Sequence, residues 1–497
     1  MNRVATVLEP WKRRIINKQT GLFVSICVII GVIGIVFNSN PPVGVMLIFS
    51  AIFLGAFVLI ALNHDKQVTI IMTACAIALL LAMVLSIMNL FEGFSFEKVL
   101  LPTEPYHGYQ EWEVLAVVFG MTLLVEAVSE TGFFDWIIIT LLKFSKGAIY
   151  PLFIITFLIT LALSTVLANV TAMILVGSMI LTICKGLDYN PTPFLMAAVL
   201  ATALAGMATP VSSLPALLIS DPNYGNIPFI SFLLISGPFI LICIPICILY
   251  LKRVYPPEKI PLRPGTSIDT DLILSLDPWG VIENRGRFYL AAVVLGLTII
   301  GFVLAQPLQD AGFPISIGVV AILGGVLAII LTRADEHNLL SNVSWDTLLV
   351  FAGLFILIGT LGDTKILDLI AQQMKLIVGD NLFLAGALIL IITGAFSGIL
   401  DNIPVAAALI PVVKEINAPF ESTNPKFLWY ILVFSGAVGG GWTPFGSAAG
   451  ILAVSLLSKE GRPLSFASFI KTFVPICVIL LVLSGIYLTV LTILIDL

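Results

Sequence analysis

Charge is what this chain has least of: only 11% of its 497 residues are Asp, Glu, Lys or Arg, while 59% are hydrophobic. An ordinary soluble domain is about 25% charged, so the composition excludes one and leaves a polytopic, all-α membrane protein. Histidine is scarce too. His64 and His107 fall in expected loops and His337 in a charged turn, so a histidine-based catalytic centre has little to build on. No His-Glu-x-x-His or Gly-x-Ser-x-Gly pattern occurs, which argues against an intramembrane enzyme. The 24 Lys and Arg do not exceed the 29 Asp and Glu, so no basic surface is available for nucleic acid. Six cysteines (Cys27, Cys75, Cys184, Cys243, Cys247, Cys477) are scattered, all but Cys184 well inside apolar runs, in no disulfide or metal-binding spacing. Cys243 and Cys247 share a helix face, but without an adjacent His or carboxylate they read as packing rather than as a soft-metal site.

Long apolar runs are what the chain does have. Eleven approach the roughly 20 residues that cross a bilayer: 21–38, 43–63, 68–90, 112–131, 192–221, 226–250, 288–306, 313–332, 345–361, 427–458 and 465–494. The first follows Lys12, Arg13, Arg14 and Lys18 without a small-x-small cleavage motif before Pro41-Pro42, and reads as a signal anchor. Placing the N-terminus in the cytoplasm leaves only Lys98, Lys365, Lys375, Lys414 and Lys426 outside. The C-terminus then emerges on the extracytoplasmic side of the cell membrane. A proline-rich, charged stretch, 251–287, divides the chain as a cytoplasmic linker. The expected organisation is 1–110 with an extra first span and the start of the first scaffold, a first repeat over 43–250, the linker, and a second repeat over 288–497.

The repeat is visible at a constant offset of 233 residues: EWEVLAVVFGMTLLVEAVSETGFFDWI (111–137) aligns with SWDTLLVFAGLFILIGTLGDTKILDLI (344–370). Trp112 meets Trp345, Thr131 meets Thr364 and Asp135 meets Asp368; further on, Ser164, Leu167 and Asn169 meet Ser397, Leu400 and Asn402. After one residue of slippage Thr209-Pro210 meets Thr443-Pro444. Five crossings per half is an odd number, so the second copy enters the membrane inverted. Inverted repeats with interrupted hydrophobic segments at matching places point to an alternating-access carrier rather than a channel.

Between crossings each half holds a short amphipathic segment (133–146; 364–378) and a run of about 36 residues (148–185; 381–416) with a polar centre at Ser164–Thr171 or Ser397–Pro404. Two short spans would satisfy parity, but a re-entrant hairpin accounts for the polar tip, because irregular polar backbone at membrane depth must be buried in protein or a wet cavity. The runs 192–221 and 427–458 are broken by Thr209-Pro210-Val-Ser212-Ser213-Leu-Pro215 and by Gly439-Gly440-Gly441-Trp442-Thr443-Pro444-Phe-Gly446-Ser447, where proline and glycine free backbone ligands. Two tips and two breaks converging near the midplane would form the site. Its expected ligands are Asn169, Thr171, Thr209, Ser212 and Ser213 from the first half and Asp401, Asn402, Thr443 and Ser447 from the second, with a Na+ ion placed near Asn169, Asp401 and Asn402. No other cofactor is expected.

Asp401 is the acid at the tips. A carboxylate at helix centre costs about 2.5–3.5 kcal/mol on the insertion scale, so it is read as functional; the bland alternative is a helix cap just before Pro404. Protonation and cation binding would compete at this one carboxylate, which is how a single site runs exchange. Glu126, whose repeat mate is Gly359, is a second intramembrane acid and a candidate proton relay, or else one that merely meets a polar neighbour. Glu130, Asp135, Asp363 and Asp368 lie near span ends, where interfacial solvation explains them.

At these motifs the chain resembles the ion transporter superfamily, and within it the arsenite-efflux (ArsB) and NhaD-type sodium/proton antiporter branch. Ser129-Glu-Thr-Gly-Phe-Phe-Asp135 and Asn169-Val-Thr171 are similar to the arsenite-pump side, and Leu400-Asp401-Asn402-Ile-Pro404 and Gly446-Ser447-Ala-Ala-Gly450 to the NhaD side. The resemblance spans about 110–250 and 288 to the C-terminus. It implies an elevator carrier, commonly a homodimer, with both hairpins and both broken helices in the moving part. Relatives usually have Asp where this chain has Ala168, and a Gly-Asp pair where it has Val211-Ser212-Ser213. Two transport functions follow as expectations: proton-linked exchange of Na+ or a small inorganic ion, or coupled import of citrate or another di- or tricarboxylate. Each tip lacks the Ser-Asn-Thr triplet of the carboxylate carriers.

Overall fold

A computed structural model describes residues 41–62, 66–88, 109–146, 148–220, 224–256, 260, 275, 277–313 and 315–495. The expected first span, 21–38, and most of the linker lie outside the described residues. All regular structure among the described residues is helical, as lipid demands of a chain that must satisfy its own backbone groups. In chain order the helices of the first half are α1 (Pro41–Leu62), α2 (Gln67–Ile87), α3 (Tyr109–Ser129), α4 (Phe133–Lys143), α5 (Ile149–Val166), α6 (Asn169–Gly186), α7 (Thr192–Ala205), α8 (Leu214–Ser220) and α9 (Phe229–Val254). The second half contains α10 (Arg285–Asp310), α11 (Ile317–Thr332), a short α12 (Glu336–Asn342), α13 (Trp345–Asp363), α14 (Ile366–Val378), α15 (Leu382–Ile399), α16 (Asn402–Asn417), α17 (Phe427–Gly439), α18 (Ala448–Lys459) and α19 (Phe466–Ile495). Among the described residues ten helices are long and apolar enough to cross a membrane, eleven if α3 and α4 count as one bent span.

The duplication is written in the backbone. α3 turns into α4 through a 64° bend at Gly132, which holds φ +76°. Its mate 233 residues on is Lys365, also left-handed at φ +62° between α13 and α14. Thr131 and Thr364, one residue earlier, each turn a hydroxyl back onto the preceding helix, Thr131 onto Val128 O at 2.7 Å and Thr364 onto Leu361 O at 2.6 Å. At the hairpin tips Leu167 (φ −104°, ψ 157°) matches Leu400 (φ −107°, ψ 161°), and Ala168 (φ −57°, ψ 140°) matches Asp401 (φ −59°, ψ 144°).

The chain forms two compact units that do not follow the halves, one from 1–111 with 345–374, the other from 112–344 with 375–497. In the smaller unit α13, from the second repeat, packs on α1 and α2 from the first. The approach is closest at Gly353: a Cβ there would fall 2.3 Å from Ile71 Cγ2, and the Cys75 thiol reaches Gly353 O at 2.8 Å. In the larger unit α10 packs on α11, and α3, from the first repeat, lies against α11. Here Gly120 makes the close approach, its missing Cβ only 2.4 Å from the Ala321 carbonyl carbon. Gly120 and Gly353 are repeat mates. The mates α3 and α13 are thus each seated on the other repeat, and glycine is the residue that lets the backbones meet.

The rest of the larger unit holds the hairpins, α5–α6 and α15–α16, and the broken helices, α7–α8 and α17–α18. Each hairpin packs against the entering half of its own repeat's broken helix, α5 on α7 and α15 on α17. Its second arm packs against the exiting half of the other's, α6 on α18 and α16 on α8. That exchange brings four chain interruptions to one place.

Candidate functional site

Each interruption has a local cause. α5 stops at Val166 because Leu167 and Ala168 are extended, and α6 restarts at Asn169; the Leu167 amide still donates to Leu163 O, so only the tip loses helical bonding. Thr209-Pro210 and Thr443-Pro444 end the entering halves of the broken helices, since a proline ring disfavours helical backbone in the residue before it. Among the described residues the freed groups are largely taken up by side chains. Thr209 Oγ1 donates to Thr165 O at 2.6 Å and accepts from the Ser212 amide at 3.2 Å, while Ser212 Oγ donates to Thr209 O at 2.7 Å. In the second break Thr443 Oγ1 accepts from the amides of Phe445 and Gly446, both at 3.2 Å, and Ser447 caps α18 by accepting from Gly450 N at 3.2 Å.

These bonds also bear on the hairpins. Thr209 lies midway along 192–220 and its hydroxyl holds the end of α5, so the first tip sits at the depth of the break. The second tip is held likewise: Ser397 Oγ donates to Gly436 O at 2.7 Å, and a Cβ on Gly446 would lie 2.7 Å from Ser397 O. Arms whose tips meet the middle of a broken span are re-entrant, as expected. Their outer faces are apolar and bare, with Phe396 51% and Ile399 62% exposed, as suits a lipid boundary.

The two breaks cross. A Cβ on Gly206 would lie 3.5 Å from Ala437 Cβ and 3.6 Å from Asn169 Nδ2, and one on Gly441 would lie 3.9 Å from Ala203 Cβ and 3.0 Å from Cys477 Sγ. Asn169 is thereby fixed at the crossing, its Oδ1 accepting from Ser164 Oγ. Asn169, Thr209, Ser212, Ser213, Asp401, Asn402, Thr443 and Ser447 therefore all belong to one assembly of tips and breaks, and Thr171 sits half-buried in the first turn of α6. Asp401 precedes α16 as its N-cap, half-buried, with one long contact from the Ile403 amide at 3.5 Å. Its mate Ala168 leaves α6 without any side-chain cap.

Glu126 stands apart from this assembly. Its carboxylate hydrogen-bonds the Asn342 side chain at the end of α12, and one turn on Glu130 accepts from the Asp335 amide at 3.2 Å. Among the described residues no three His, Cys, Asp or Glu side chains gather where they could hold a metal ion. One wall of the second break was not anticipated from the sequence. Trp442 lies on Gly398, whose missing Cβ would come 2.9 Å from the Trp442 Cβ and 3.1 Å from its ring. The mates of this pair are Ala208 and Thr165, so bulk has been exchanged between the two positions, a signal readable in the aligned repeats.

A protein-family model described as "Citrate transporter" (CitMHS) matches residues 56–433. The chain is 31% identical over 379 residues to the uncharacterized transporter MT2759 of Mycobacterium tuberculosis, covering 76% of this chain and 86% of that one. It is 27% identical over 440 residues to the human P protein, covering 74% of this chain and 52% of the relative. Among solved structures the Alcanivorax borkumensis YdaH transporter, described as having an unusual topology, shares the fold at a TM-score of 0.51 and 13% identity, over 91% of this chain and 98% of that one.

Proposed function

Because the chain belongs to the CitMHS citrate transporter family and is a multi-pass secondary transporter of the ion transporter superfamily, we propose that it runs proton-linked exchange of Na+ or another small inorganic ion across the cell membrane. Within the superfamily this reading follows the arsenite-efflux and NhaD-type branch. The observation that carries it is the inequality of the two tips. Asp401 is a carboxylate at the second tip, facing the amides of Asn402 and, at 3.5 Å, Ile403, and its mate Ala168 is uncharged. A cap needs no charge; Asn or Ser would serve. A carboxylate at a solute site can hold either a proton or a cation, so loading one discharges the other. The tips and breaks move as one body in an elevator step, in a homodimer whose N-terminus faces the cytoplasm. Asn169, Thr171, Thr209, Ser212, Ser213, Asn402, Thr443 and Ser447 line the solute and cation positions, and Glu126 passes protons near the α12 end of the scaffold.

The test is purified protein in proteoliposomes with an internal pH dye. Addition of Na+ or Li+ to wild-type vesicles is expected to release protons, and Asp401→Asn to reduce that response to the level of empty vesicles. Unaltered pH-dependent exchange in the mutant rejects the role. A second reading, coupled transport of citrate or a related di- or tricarboxylate, is favoured by the uncapped amides at the start of α6, where a helix N-terminus attracts an anion, and by the name of the matching family. Uptake of labelled citrate with no response to Na+ alone would select it.

A further inference from the structure

The bends at Gly132 and Lys365 are mates in backbone and differ in the side chains at hand. The first lies under the end of the linker. From Asp277 the chain folds into consecutive turns: Asp277 Oδ1 accepts from the Trp279 amide at 3.0 Å, the Gly280 amide donates to Asp277 O at 3.1 Å and the Ile282 amide to Trp279 O at 3.2 Å. Aspartate starts such a turn because its short side chain takes the amide two residues on. Asn284 then caps α10, accepting from the Gly286 and Arg287 amides. This run is pressed onto the bend: a Cβ on Gly132 would lie 2.7 Å from Val281 O and 3.8 Å from Ile282 Cα. Glycine is required there twice, by its torsion and by the linker.

Rings close the contact. Trp136, in the first turn of α4, lies 5.4 Å from Trp279 and 5.5 Å from Phe288; Trp279 and Phe288 are 5.7 Å apart, and Phe133 stands 5.5 Å from Phe288. The Arg285 guanidinium lies over the Trp279 ring at 4.8 Å. Rings at these separations attract one another beyond the area they bury, and a cation over a tryptophan face adds to that. Core packing accounts for buried rings within helices. Trp279 is 36% exposed and lies in a turn, so its place against α4 fastens a loop to a helix. From another side Glu130 accepts from the Asp335 amide, which ties the bend to the turn after α11. The second arm is built differently. Residues 364–378 contain no aromatic side chain, and the mate of Trp136 is Leu369, 47% exposed.

We infer that residues 277–288 form a clasp that locks the angle between α3 and α4 throughout the transport cycle while the angle between α13 and α14 changes, so that one copy of the bend is a fixed joint and the other a moving one. The first hairpin then swings beyond α4, where Lys146 holds a left-handed φ of +47°. The inference rests on the tips and breaks moving as one body.

Spin labels on the full chain in liposomes read both angles. Leu141→Cys with Val293→Cys reports on α4 against α10, and Leu349→Cys with Ile370→Cys on α14 against α13; all four positions are exposed, and the native cysteines among the described residues are buried. Distances are compared in acid Na+-free buffer, in alkaline buffer with Na+, and with citrate. The first pair is expected to hold its distance to within about 2 Å and the second to shift by about 5 Å or more, as a hinge does. Trp279→Ala should broaden the first distribution about twofold and lower turnover about fivefold, read with Na+ and the pH dye or with labelled citrate, at a KM within about twofold of wild type, and Trp279→Phe should restore both. Arg285→Ala, which removes only the cation over the ring, should broaden it less, and decides if Trp279→Ala does not fold. An unchanged first distribution in the folded variants overturns the clasp. So does a first pair that moves as far as the second, a result that leaves the moving body intact. Two pairs that stay still in every buffer, in vesicles that transport, overturn the clasp and the moving body together.

Discussion

The two hairpin tips have nearly the same backbone and different chemistry. Leu167-Ala168 and Leu400-Asp401 agree in torsion to within a few degrees, and both restart a helix at an asparagine. One carries a carboxylate and the other a methyl group. The breaks diverge in the same way: the small Ala208 stands where the second break has Trp442, which lies on the end of α15, and Ser212 bonds within its turn where the mate Gly446 brings backbones together. The architecture was duplicated and kept, and the tip carboxylate stands in the second copy. Symmetry is useful for the scaffold of a carrier, whereas the proposed proton-binding step requires only one acid.

The comparison can be broken most severely at Gly446. Any side chain there meets Gly440 O at 2.6 Å and Ser397 O at 2.7 Å, both backbone atoms with nowhere to retreat. Gly446→Ser is expected to abolish uptake and to lower thermal stability by several kcal/mol, of the order of an overpacked core. The mirror change, Ser212→Gly, removes two turn bonds with Thr209, at about 1–3 kcal/mol, and should leave a folded protein. Fluorescence-detected thermal unfolding of the two variants reads the contrast directly.

Next in size is the bend between α3 and α4. Gly132→Ala would place its Cβ 2.7 Å from Val281 O in a left-handed backbone, and is expected to destabilise by more than about 2 kcal/mol. Lys365→Gly at the mate relieves a non-glycine residue at φ +62° and should be neutral or stabilising by up to about 1 kcal/mol. Equal effects at the two positions would deny that the bends are unequal in packing.

The smallest change tests whether the tips are interchangeable as caps. Ala168 already has N-cap torsions and a bare helix start behind it, so Ala168→Asn, a cap without the cost of a buried charge, should fold and add about 0.5–2 kcal/mol. Loss of stability in that variant would mean that the first tip has diverged in shape as well as in charge.

Much of this was legible in the chain. The crossings over the described residues, both hairpins and both breaks follow from apolar run length, polar tips and Thr-Pro steps, because each is a local constraint that lipid enforces. The polar and acidic residues proposed to line the site stand out in the chain too, since such side chains are conspicuous inside apolar runs. What stayed hidden depends on partners far along the chain. Nothing around Glu126 announces Asn342, and Gly120 and Gly353 are two glycines among 39 until their contacts with α11 and α2 appear. Lys365 was hidden for another reason: nothing about a lysine advertises a left-handed torsion, and only its alignment with Gly132 gives it away. Trp442 was read as part of a break and not as a wall, because its meaning lies in an exchange of bulk with Thr165, Ala208 and Gly398.

The seating of α3 and α13 has a consequence for how the protein is made. When the first half has left the ribosome, α1 and α2 are already inserted, and the helix that completes their unit, α13, has yet to be synthesised. Likewise α3 waits in the bilayer for α11. Neither half is a finished product, so a gene cut at the linker should give two fragments that are degraded when expressed singly and rescued when expressed together, each supplying the other's missing strut.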